Sequence, residues 1–548
     1  MLNTALLLAS LTFVRAAPTI DPASSIAGST VSFSFPPAGA TFTAYEAYFP
    51  DASEVGYPGP TPTGDEAEAI QTAPVAALNL DAYPLVNPLA QYTGDVPSFN
   101  PLHHWGNLGP WYSVGDAFGL PDASPQIPAG CELTQVHLIH RHGARYPTSG
   151  SDPGQFAAFV HSAAEGAGFT ATGPLKFLNS WTYKLGAEIL TPFGREQLYE
   201  LGVGFRVKYG ELLKGFNALP VWRTTSEERM VDSALQFAAG FFGVQQYQTS
   251  YYEEIIVNNS GFNSTLSPSN ACLNSNNAVG NLGGVYSGNW TDIYLNGTVE
   301  RLQQYVTGLE LNTNYVFGMQ QLCAYEIVAL GYSDFCDIFT VEEWLGFEYA
   351  NDLIFWYSNG PGSPVAAAQG IGYVQELVSR LTQTPLTVFD TSTNETLDSN
   401  PITFPLNQPI YVDATYDTVI AQIVTALNFT TLAANGPLPV DHIPGYQTYH
   451  VNQIAPFGSN LVGQVVSCPA SPQNATQESF IRFILNDGVV PLTGIAHCET
   501  PNPDGLCSVA NFVQGMQERI AQVNFNYDCF ADYPAPYPDD IIDGREWK

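Results

Sequence analysis

Two arginines and a histidine lie within five positions in the segment RHGARYPTSG, residues 141–150. The guanidinium groups of Arg141 and Arg145 carry planar sets of N–H donors that match phosphate oxygens two at a time, and they stay charged at any working pH. A neutral histidine between them could attack phosphorus through one ring nitrogen if an acceptor held the proton of the other. His142 is therefore a candidate nucleophile in a phosphate-binding loop. On spacing alone, a solvated surface loop explains these residues equally well.

The segments around this cluster predict the elements that position it. The apolar run in CELTQVHLIH predicts a strand that ends at the cluster, where open α/β sheets place their ligands. Thr191 as N-cap and Pro192 at the first helical position predict a helix in LTPFGREQLYELGVGFRVKYGELL. We expect an α/β fold with a central mixed sheet flanked by helices, in parts at about 125–190 and 385–530. A smaller, mostly α-helical domain is expected as an insertion at about 190–385.

Composition limits the class of protein and its partners. The chain has 548 residues, of which 45% are hydrophobic, and this is enough for a large core. It carries 17 basic against 51 acidic residues, a net charge of −34, which argues against nucleic acid and anionic membranes as partners. Residues 1–17 fit a signal peptide, and residues 18–97 form an arm rich in Pro, Ser and Thr that we expect to be of low order. Ordered sequence is expected from about residue 98 to 548, and no later stretch is apolar enough to span a membrane.

Cysteines and glycosylation triplets point to an oxidising compartment. The eight cysteines are an even number, and their spacing lacks the close pairs typical of a zinc site. Together with the apolar N-terminus they predict a secreted, extracellular glycoprotein. Seven N-x-S/T triplets could accept glycans, and they begin at Asn258, Asn263, Asn289, Asn296, Asn394, Asn428 and Asn474.

The longer string RHGARYPT resembles the R-H-G-x-R-x-P signature of the histidine acid phosphatase family in its fungal phytase form. LTPFGREQL resembles a second landmark of that family, and FCDIFTVEEWLGFEYANDL and GPGSPVAAAQGIGYVQELVSRLT look like its helical region. With VVPLTGIAHCETPNPDGLCSVANFV the resemblance covers roughly residues 108–529. It implies a phosphatase that forms phosphohistidine on His142 and binds phosphate through Arg141 and Arg145. The implied mechanism needs no metal and no cofactor.

A third phosphate-binding arginine is implied by the segment VWRTTSEERMVDSA, where Arg223 occupies the family position. We interpret Arg229 in the same segment as a structural residue that pairs with a nearby carboxylate, Glu227 or Asp232. The resemblance also implies four disulfides, Cys131 with Cys468, Cys272 with Cys529, Cys323 with Cys336, and Cys498 with Cys507.

The last family motif, His-Asp, corresponds to the segment YVDATYDTVIAQIVTALNF. Asp417 matches the expected general acid, but Tyr416 stands where the family has a histidine. A tyrosine hydroxyl can still donate to phosphate but brings no charge, and losing one charge-assisted donor costs roughly 2–4 kcal/mol. We therefore expect an active phosphatase that is slow or altered in specificity. The alternative is a catalytically impaired homologue that only binds phosphate or inositol phosphate.

The substrate is less well defined by the sequence than the chemistry. Phytate, myo-inositol hexakisphosphate, is the substrate that the resemblance implies, and family phytases usually hold it with several lysines. The segment GPLKFLNSWTYKLG supplies Lys176 and Lys184 as possible substrate contacts. A dedicated phytase and a broad acid phosphatase that accepts phytate both remain open, and we expect a monomer.

Overall fold

A computed structural model describes residues 99–547, except residue 116 and residues 472–473, and ten positions before residue 99. At residues 70, 71, 470, 471, 474 and 475 only the backbone is described. The predicted signal peptide, residues 1–17, and most of the predicted arm lie outside the described residues. The described positions of the arm are 36, 48, 49, 59–61, 64, 65, 70 and 71.

The described residues contain twelve strands, which are distributed between residues 70 and 508. Most of the longer ones are rich in β-branched and aromatic residues, the residue types that fit a pleated, buried surface. In chain order the strands are β1 (Ile70–Gln71), β2 (Glu132–Arg141), β3 (Thr170–Ala171), β4 (Thr182–Tyr183), β5 (Val221–Thr225), β6 (Tyr252–Ile256), β7 (Val306–Thr307), β8 (Ile410–Thr415), β9 (Asn460–Ser471), β10 (Asn474–Leu485), β11 (Gly488–Val490) and β12 (Cys507–Ser508).

Eight of these strands form one mixed sheet in the order β11-β10-β9-β2-β8-β5-β6, with β12 paired to β10. β2, β8, β5 and β6 are parallel to one another, whereas β9 is antiparallel to β2 and β10 to β9. The mixed sheet confirms the predicted fold class. Because β2, β8 and β5 are parallel neighbours, their carboxyl ends lie at one edge of the sheet, where the predicted strand end places the RHG segment.

Helices cover both faces of the sheet and build a separate helical layer. In chain order the α-helices are α1 (Asp152–Glu165), α2 (Pro192–Tyr209), α3 (Glu228–Phe242), α4 (Leu282–Gln303), α5 (Thr313–Leu330), α6 (Val341–Asn359), α7 (Ala366–Thr382), α8 (Glu395–Asp398), α9 (Asp417–Ala426), α10 (Val451–Ile454), α11 (Val509–Gln522) and α12 (Phe525–Phe530).

The core is divided by the sheet. On one face, Leu138 of β2 and Trp222 of β5 are buried with Phe237 of α3 and with α2. On the other face, Ile139 of β2 is buried with Ile420 of α9 and with α7. The alternation of Leu138 and Ile139 between the two faces follows from the two-residue period of a strand. Both faces of β2 are therefore covered, and its end is the part left open for a ligand.

The expected domain boundary at about residue 190 differs from the structure. The range 190–385 was predicted to be mostly helical, yet it contains β5 and β6, two strands of the central sheet. Each is only five residues long, and β5 is buried at every position. Such a strand lacks the alternating pattern that a half-buried strand shows, so the neighbouring helical patterns dominate the sequence signal. The helical layer proper consists of α4, α5 and α6, which pack together.

Four disulfides cross-link the domain, and they join the pairs that the resemblance implies: Cys131 with Cys468, Cys272 with Cys529, Cys323 with Cys336, and Cys498 with Cys507. Some positions of the predicted low-order arm also contact the domain. β1 pairs with β4, and the backbone N–H of Thr61 donates to the carbonyl of Ser226 at 2.8 Å. Among the described helices, none has the length and apolar character needed to cross a bilayer.

The glycosylation triplets differ in their surroundings. The side chains of Asn263, Asn289 and Asn296 are exposed, whereas those of Asn394 and Asn428 are half-buried. The Nδ2 groups of Asn263, Asn394 and Asn428 donate to backbone carbonyls. The side chain of Asn474 lies outside the described residues. Glycosylation of these residues stays a prediction.

Asn258 is distinguished by the partners of its amide nitrogen, which are two side chains rather than backbone carbonyls. Its Nδ2 donates to Glu227 Oε1 at 2.9 Å and to the hydroxyl of Tyr416 at 2.9 Å. A glycan on Nδ2 would replace one of these two donors. The prediction of a glycan at Asn258 therefore conflicts with the hydrogen bonds that the folded site makes.

Candidate active site

The loop after β2 places His142 at the carboxyl edge of the sheet, with 2% of its surface exposed. Its Nδ1 lies 2.8 Å from the carbonyl oxygen of Gly143. Since a carbonyl only accepts, Nδ1 carries the proton and Nε2 keeps its lone pair. Burial and the charges of Arg141, Arg229 and Arg145 hold the pKa of His142 well below its usual range. The imidazole is therefore neutral, in the tautomer that nucleophilic attack requires.

Two glycines bring this loop against the start of α2. A Cβ on Gly143 would lie 2.1 Å from the carbonyl oxygen of Gly194, and a Cβ on Gly194 would lie 1.9 Å from that of Ala144. α2 begins as predicted, because the hydroxyl of Thr191 accepts from the backbone N–H of Gly194 at 3.0 Å. The segment LTPFGREQL thus acts as a support for the loop that carries His142.

Arg141 is fully buried and is held by three kinds of contact. Its Nη1 donates to the carbonyls of Asn107, at 2.5 Å, and Ala455, at 2.9 Å. Its Nη2 lies 2.7 Å from the carboxylate of Asp417. The guanidinium carbon also lies 4.3 Å from the ring centroid of Phe457. These contacts fix the plane of the guanidinium before any ligand is bound.

Arg145 and Arg229 share a carboxylate. Arg145 Nη1 lies 4.0 Å from Glu188 Oε2, and Arg229 Nη1 lies 3.3 Å from the same oxygen. Arg229 Nη2 lies 2.5 Å from Glu227 Oε2. Glu188 has a positive φ of 64°. For a residue other than glycine, this backbone conformation costs about 1 kcal/mol. The two guanidinium groups, which would repel each other alone, are thereby held in the same site.

The three arginines offer unused donors to a ligand. The Nε atoms of Arg141, Arg145 and Arg229 are buried and have no hydrogen-bond acceptor among the described residues. A buried donor without an acceptor is costly and points to a group that binds there. All three charges lower the pKa of His142, so the three guanidinium groups lie near its imidazole, and an anion bound by them would lie in the same site. Phosphate fits this arrangement by charge and by its number of acceptor oxygens.

Asp417 begins α9, directly after β8, and completes the cluster. Its carboxylate accepts from Asn107 Nδ2 at 2.8 Å and from the backbone N–H of Thr418 at 2.9 Å. Burial alone would raise the pKa of Asp417, but Arg141, Asn107 and Arg145 together hold it below its usual range. Without a ligand, the carboxyl group is ionised.

Tyr416 lies between this cluster and β5. Its hydroxyl lies 2.6 Å from Thr225 Oγ1 and accepts from Asn258 Nδ2 at 2.9 Å. Its ring is edge-on to the ring of His142, with centroids 6.4 Å apart, and the guanidinium carbon of Arg229 lies 5.4 Å from its centroid. The hydroxyl, which we expected to donate to phosphate, is thus engaged by protein partners.

Comparisons with known proteins agree with this geometry. Residues 132–486 match the model of the histidine phosphatase superfamily (branch 2). The chain belongs to this superfamily. Phytase A of Aspergillus oryzae is 32% identical over 443 residues, which are 78% of this chain and 91% of the relative. Phytase A of Aspergillus awamori is 32% identical over 432 residues, 76% of this chain and 87% of the relative.

A solved structure supports the same assignment. The crystal structure of the phytase from D. castellii aligns with a TM-score of 0.65 and 26% identity. The alignment covers 84% of this chain and 96% of that phytase. The protein is therefore a histidine phosphatase and, as the family implies, a hydrolase of phosphomonoesters.

Within this histidine phosphatase, Arg223 does not join the other predicted site residues. It lies in the middle of β5 and points to the face covered by α7, where its Nε donates to Asp413 at 2.6 Å and its Nη2 to Glu376 at 2.6 Å. Its side chain is 2% exposed. Burial would lower the pKa of Arg223, but Asp413 and Glu376 raise it well above its usual range. The expected phosphate contact is replaced by an interior ion-pair network.

Arg229, for which the sequence predicts a structural role, is a candidate for a functional one. The expected pairing with Glu227 is present, while Asp232 pairs with Arg195 instead. Arg229 follows the carboxyl end of β5, as His142 follows β2 and Asp417 follows β8. The position of Arg229 after the end of β5 could have indicated its role. Arg223 lies inside that buried strand and cannot reach the edge of the sheet, whereas a residue after the strand can.

The two predicted substrate lysines lie apart from the cluster. Lys176 is exposed in a short 3-10 helix, Gly173–Asn179. Lys184 Nζ donates to the hydroxyl of Tyr332 at 3.1 Å. Neither contacts Arg141, His142 or Asp417 in the described hydrogen bonds and ion pairs.

One group of side chains in the described part of the chain has the composition of a metal site, namely Glu348, Asp352 and His450. Its carboxylates already have partners, because Glu348 accepts from His104 Nδ1 at 2.5 Å and Asp352 from the backbone N–H of Val451 at 2.8 Å. Burial would lower the pKa of His450, but Asp352 and Glu348 raise it to about 10. The imidazole is therefore protonated and pairs with the carboxylates, which leaves it unsuited to bind a cation.

Proposed function

We propose that this protein is a secreted acid phosphatase that accepts phytate and works through a phosphohistidine intermediate on His142. The observation that carries the proposal is the neutral imidazole of His142, whose Nε2 has no hydrogen-bond partner among the described residues, in a site with three arginines that have unused Nε donors. The arginines bind the transferred phosphoryl group and disperse the charge that develops on its oxygens.

In the first step, Nε2 of His142 forms a bond to phosphorus while the ester P–O bond breaks. The electron pair of that bond leaves with the alcohol oxygen, which takes a proton from the carboxyl group of Asp417. The Nδ1 proton stays on its hydrogen bond to the carbonyl of Gly143 and stabilises the positive charge on the ring. Products of this step are the free alcohol and phosphohistidine.

In the second step, water attacks the phosphohistidine. The carboxylate of Asp417 accepts a proton from that water, the P–N bond breaks, and its electron pair returns to Nε2 of His142. Inorganic phosphate leaves, and Asp417 is again protonated for the next turnover. Both steps use the same carboxyl group, once as an acid and once as a base.

Asp417 must be protonated in the first step, although it is ionised without a ligand. A phosphate dianion bound beside Asp417 opposes its ionisation and takes over the charge of Arg141 that now stabilises it. Substrate binding thus raises the pKa of Asp417 and brings a proton with it. Mildly acidic solution favours this protonated complex.

The presence of Tyr416 in place of the family histidine does not by itself indicate a catalytically inactive protein. The charge that the family histidine would bring is absent, but Arg229 lies against the Tyr416 ring and adds a positive charge to the same part of the site.

Phytate is proposed as a substrate because the relatives are named phytases. Secretion is supported by the four disulfides, which persist in oxidising compartments.

The decisive experiment is an alkaline quench of the full chain during turnover of a ³²P-labelled aryl phosphate at about pH 5, because the P–N bond of phosphohistidine is hydrolysed in acid but persists in base. We expect label on His142 in the wild type and none in His142→Ala, which should also lose turnover. His442→Ala, which changes an exposed histidine, is the matched control and should keep both. Turnover without label on His142 would refute the mechanism. Calorimetric binding of phytate without release of phosphate would favour the impaired homologue.

A further inference from the structure

We propose that this site acts preferentially on monophosphate esters of neutral polyhydroxy alcohols, such as sugars and inositols, rather than on alcohols that carry several phosphates. This inference rests on the proposed function, because it assigns the position of the leaving alcohol from the role of Asp417. A cavity of about 440 Å³ is lined by Asp417 and Arg229 at the edge of the sheet. Since Asp417 protonates the leaving oxygen, the alcohol must occupy this cavity.

The walls of the cavity carry neutral polar groups. The amides of Asn259, Asn270 and Gln422 and the hydroxyls of Ser269 and Thr418 line it, whereas the amide of Asn258 is already engaged by protein partners. Amides donate and accept at the same time, and hydroxyls do so as well, so they match the hydroxyl groups of a polyol. Such walls bind a neutral, hydroxylated alcohol without requiring charge on it.

The charges around the cavity disfavour additional phosphates. Arg229 is the one basic side chain among the described residues that line it, and Glu227 and Asp417 are acidic. Arg229 already pairs with Glu227 and with Glu188, and the proposed mechanism uses it for the transferred phosphoryl group. A second phosphate on the alcohol would therefore meet carboxylates without a cation to bind it.

A second cavity is lined by residues that follow the RHG loop in the chain, and it has the same character. It measures about 660 Å³ and begins at Pro147, two residues after Arg145. Its described lining contains Asp65 and His161 but no lysine or arginine. The predicted lysines, Lys176 and Lys184, line neither cavity. Neither cavity therefore offers, among its described residues, a lysine that could bind additional phosphates.

The test compares two substrates that share one ring. At about pH 5, kcat/KM of the full chain is measured for inositol 1-phosphate and for inositol hexakisphosphate, with 4-nitrophenyl phosphate as the reference. We expect the monophosphate to exceed the hexakisphosphate by at least about tenfold, because each further phosphate adds repulsion. A hexakisphosphate value equal to or above that of the monophosphate would overturn the inference.

A charge variant sharpens the comparison. Ser269→Lys places an ammonium group in the cavity wall and should raise kcat/KM for the hexakisphosphate relative to the monophosphate by about fivefold or more. Gln245→Lys adds the same charge at an exposed position outside the cavity and should leave the ratio unchanged. An unchanged ratio in Ser269→Lys, with aryl phosphate turnover retained, would count against the assigned position of the alcohol.

Failure of the proposed function gives a different result. If 4-nitrophenyl phosphate is not hydrolysed by the wild type, the phosphatase proposal fails. The binding of the same two inositol phosphates, measured by calorimetry, then tests the inference. Tighter binding of the hexakisphosphate would refute it, and tighter binding of the monophosphate would support it.

Discussion

The guanidinium of Arg141 and the carboxylate of Asp417 lie 2.7 Å apart, and this pair joins the end of β2 to the start of α9. One partner is proposed to bind the transferred phosphoryl group and the other to protonate the leaving alcohol. In the ligand-free protein they neutralise each other. A substrate phosphate must compete with Asp417 for Arg141, and this competition links binding of the phosphate to protonation of the acid.

The first prediction concerns the leaving group. Asp417→Asn removes the proton that the alcohol needs, and general acid catalysis contributes typically about 10²–10⁴-fold. We expect a loss of that order in kcat/KM, which reports only the first step, for an alkyl phosphate such as glycerol 2-phosphate. The loss for 4-nitrophenyl phosphate should be at least about tenfold smaller, because its leaving group departs as an anion. Steady-state kinetics of both substrates measure the difference.

Asp441→Asn, which changes an exposed carboxylate, is the control and should leave both substrates unaffected. Equal losses for the alkyl and the aryl phosphate in Asp417→Asn would mean that Asp417 acts on the phosphoryl group or on Arg141 rather than on the leaving alcohol.

The second prediction concerns Tyr416. Tyr416→Phe leaves Thr225 Oγ1 and Asn258 Nδ2 without their shared partner, so the free energy of unfolding should fall by about 1–2 kcal/mol while kcat stays within a few-fold. Tyr416→His supplies an imidazole that is charged in acid, and it should raise or preserve kcat at about pH 5. Urea unfolding and phosphate release measure the two effects. Abolished turnover in Tyr416→His would show a role for the tyrosine that this geometry does not explain.

Much of the catalytic loop could be predicted from short-range sequence signals. The apolar run before RHG gives the strand, and Thr191 followed by Pro192 gives the start of α2, because caps and periodicity are local properties. His142, Arg141, Arg145 and Asp417 do meet at one edge of the sheet.

The third arginine could not be predicted in the same way. Arg223 and Arg229 lie six positions apart in one segment, and only the extent of β5 shows that the first points into the interior and the second lies beyond the strand. β5 is a short strand without alternation, so its place in the sheet depends on long-range pairing with β8 and β6. That information is absent from any window of the sequence.

The third prediction separates these two arginines. Arg229→Met removes a donor to phosphate, and kcat/KM for 4-nitrophenyl phosphate should fall by about two to three decades while the protein stays folded. Arg223→Met leaves Asp413 and Glu376 short of a buried partner, which costs about 3–5 kcal/mol of folding free energy. Thermal melts and kinetics of both variants test this. A stable, inactive Arg223→Met would restore that residue to the site.

The fourth prediction concerns stability against pH. Burial raises the pKa of Glu254 to about 8 and those of Glu326 and Asp528 to about 7. Below the unfolded-state values of about 4–4.5, both states are protonated and the full stability is present. As pH rises to 7–8 the unfolded chain loses these protons first, so the folded state is destabilised. The melting temperature should therefore be highest near pH 4–5 and fall towards pH 8.

General repulsion among the acidic groups of this chain changes in the same direction, so a matched pair of variants is needed to isolate the buried groups. Glu326→Gln removes a buried titrating group that accepts from Trp181 Nε1, and it should flatten the fall in melting temperature between pH 5 and 8. Glu300→Gln removes the same charge from an exposed position of α4 and should leave the slope almost unchanged. Equal slopes in the two variants would assign the pH dependence to surface charge rather than to buried carboxyl groups.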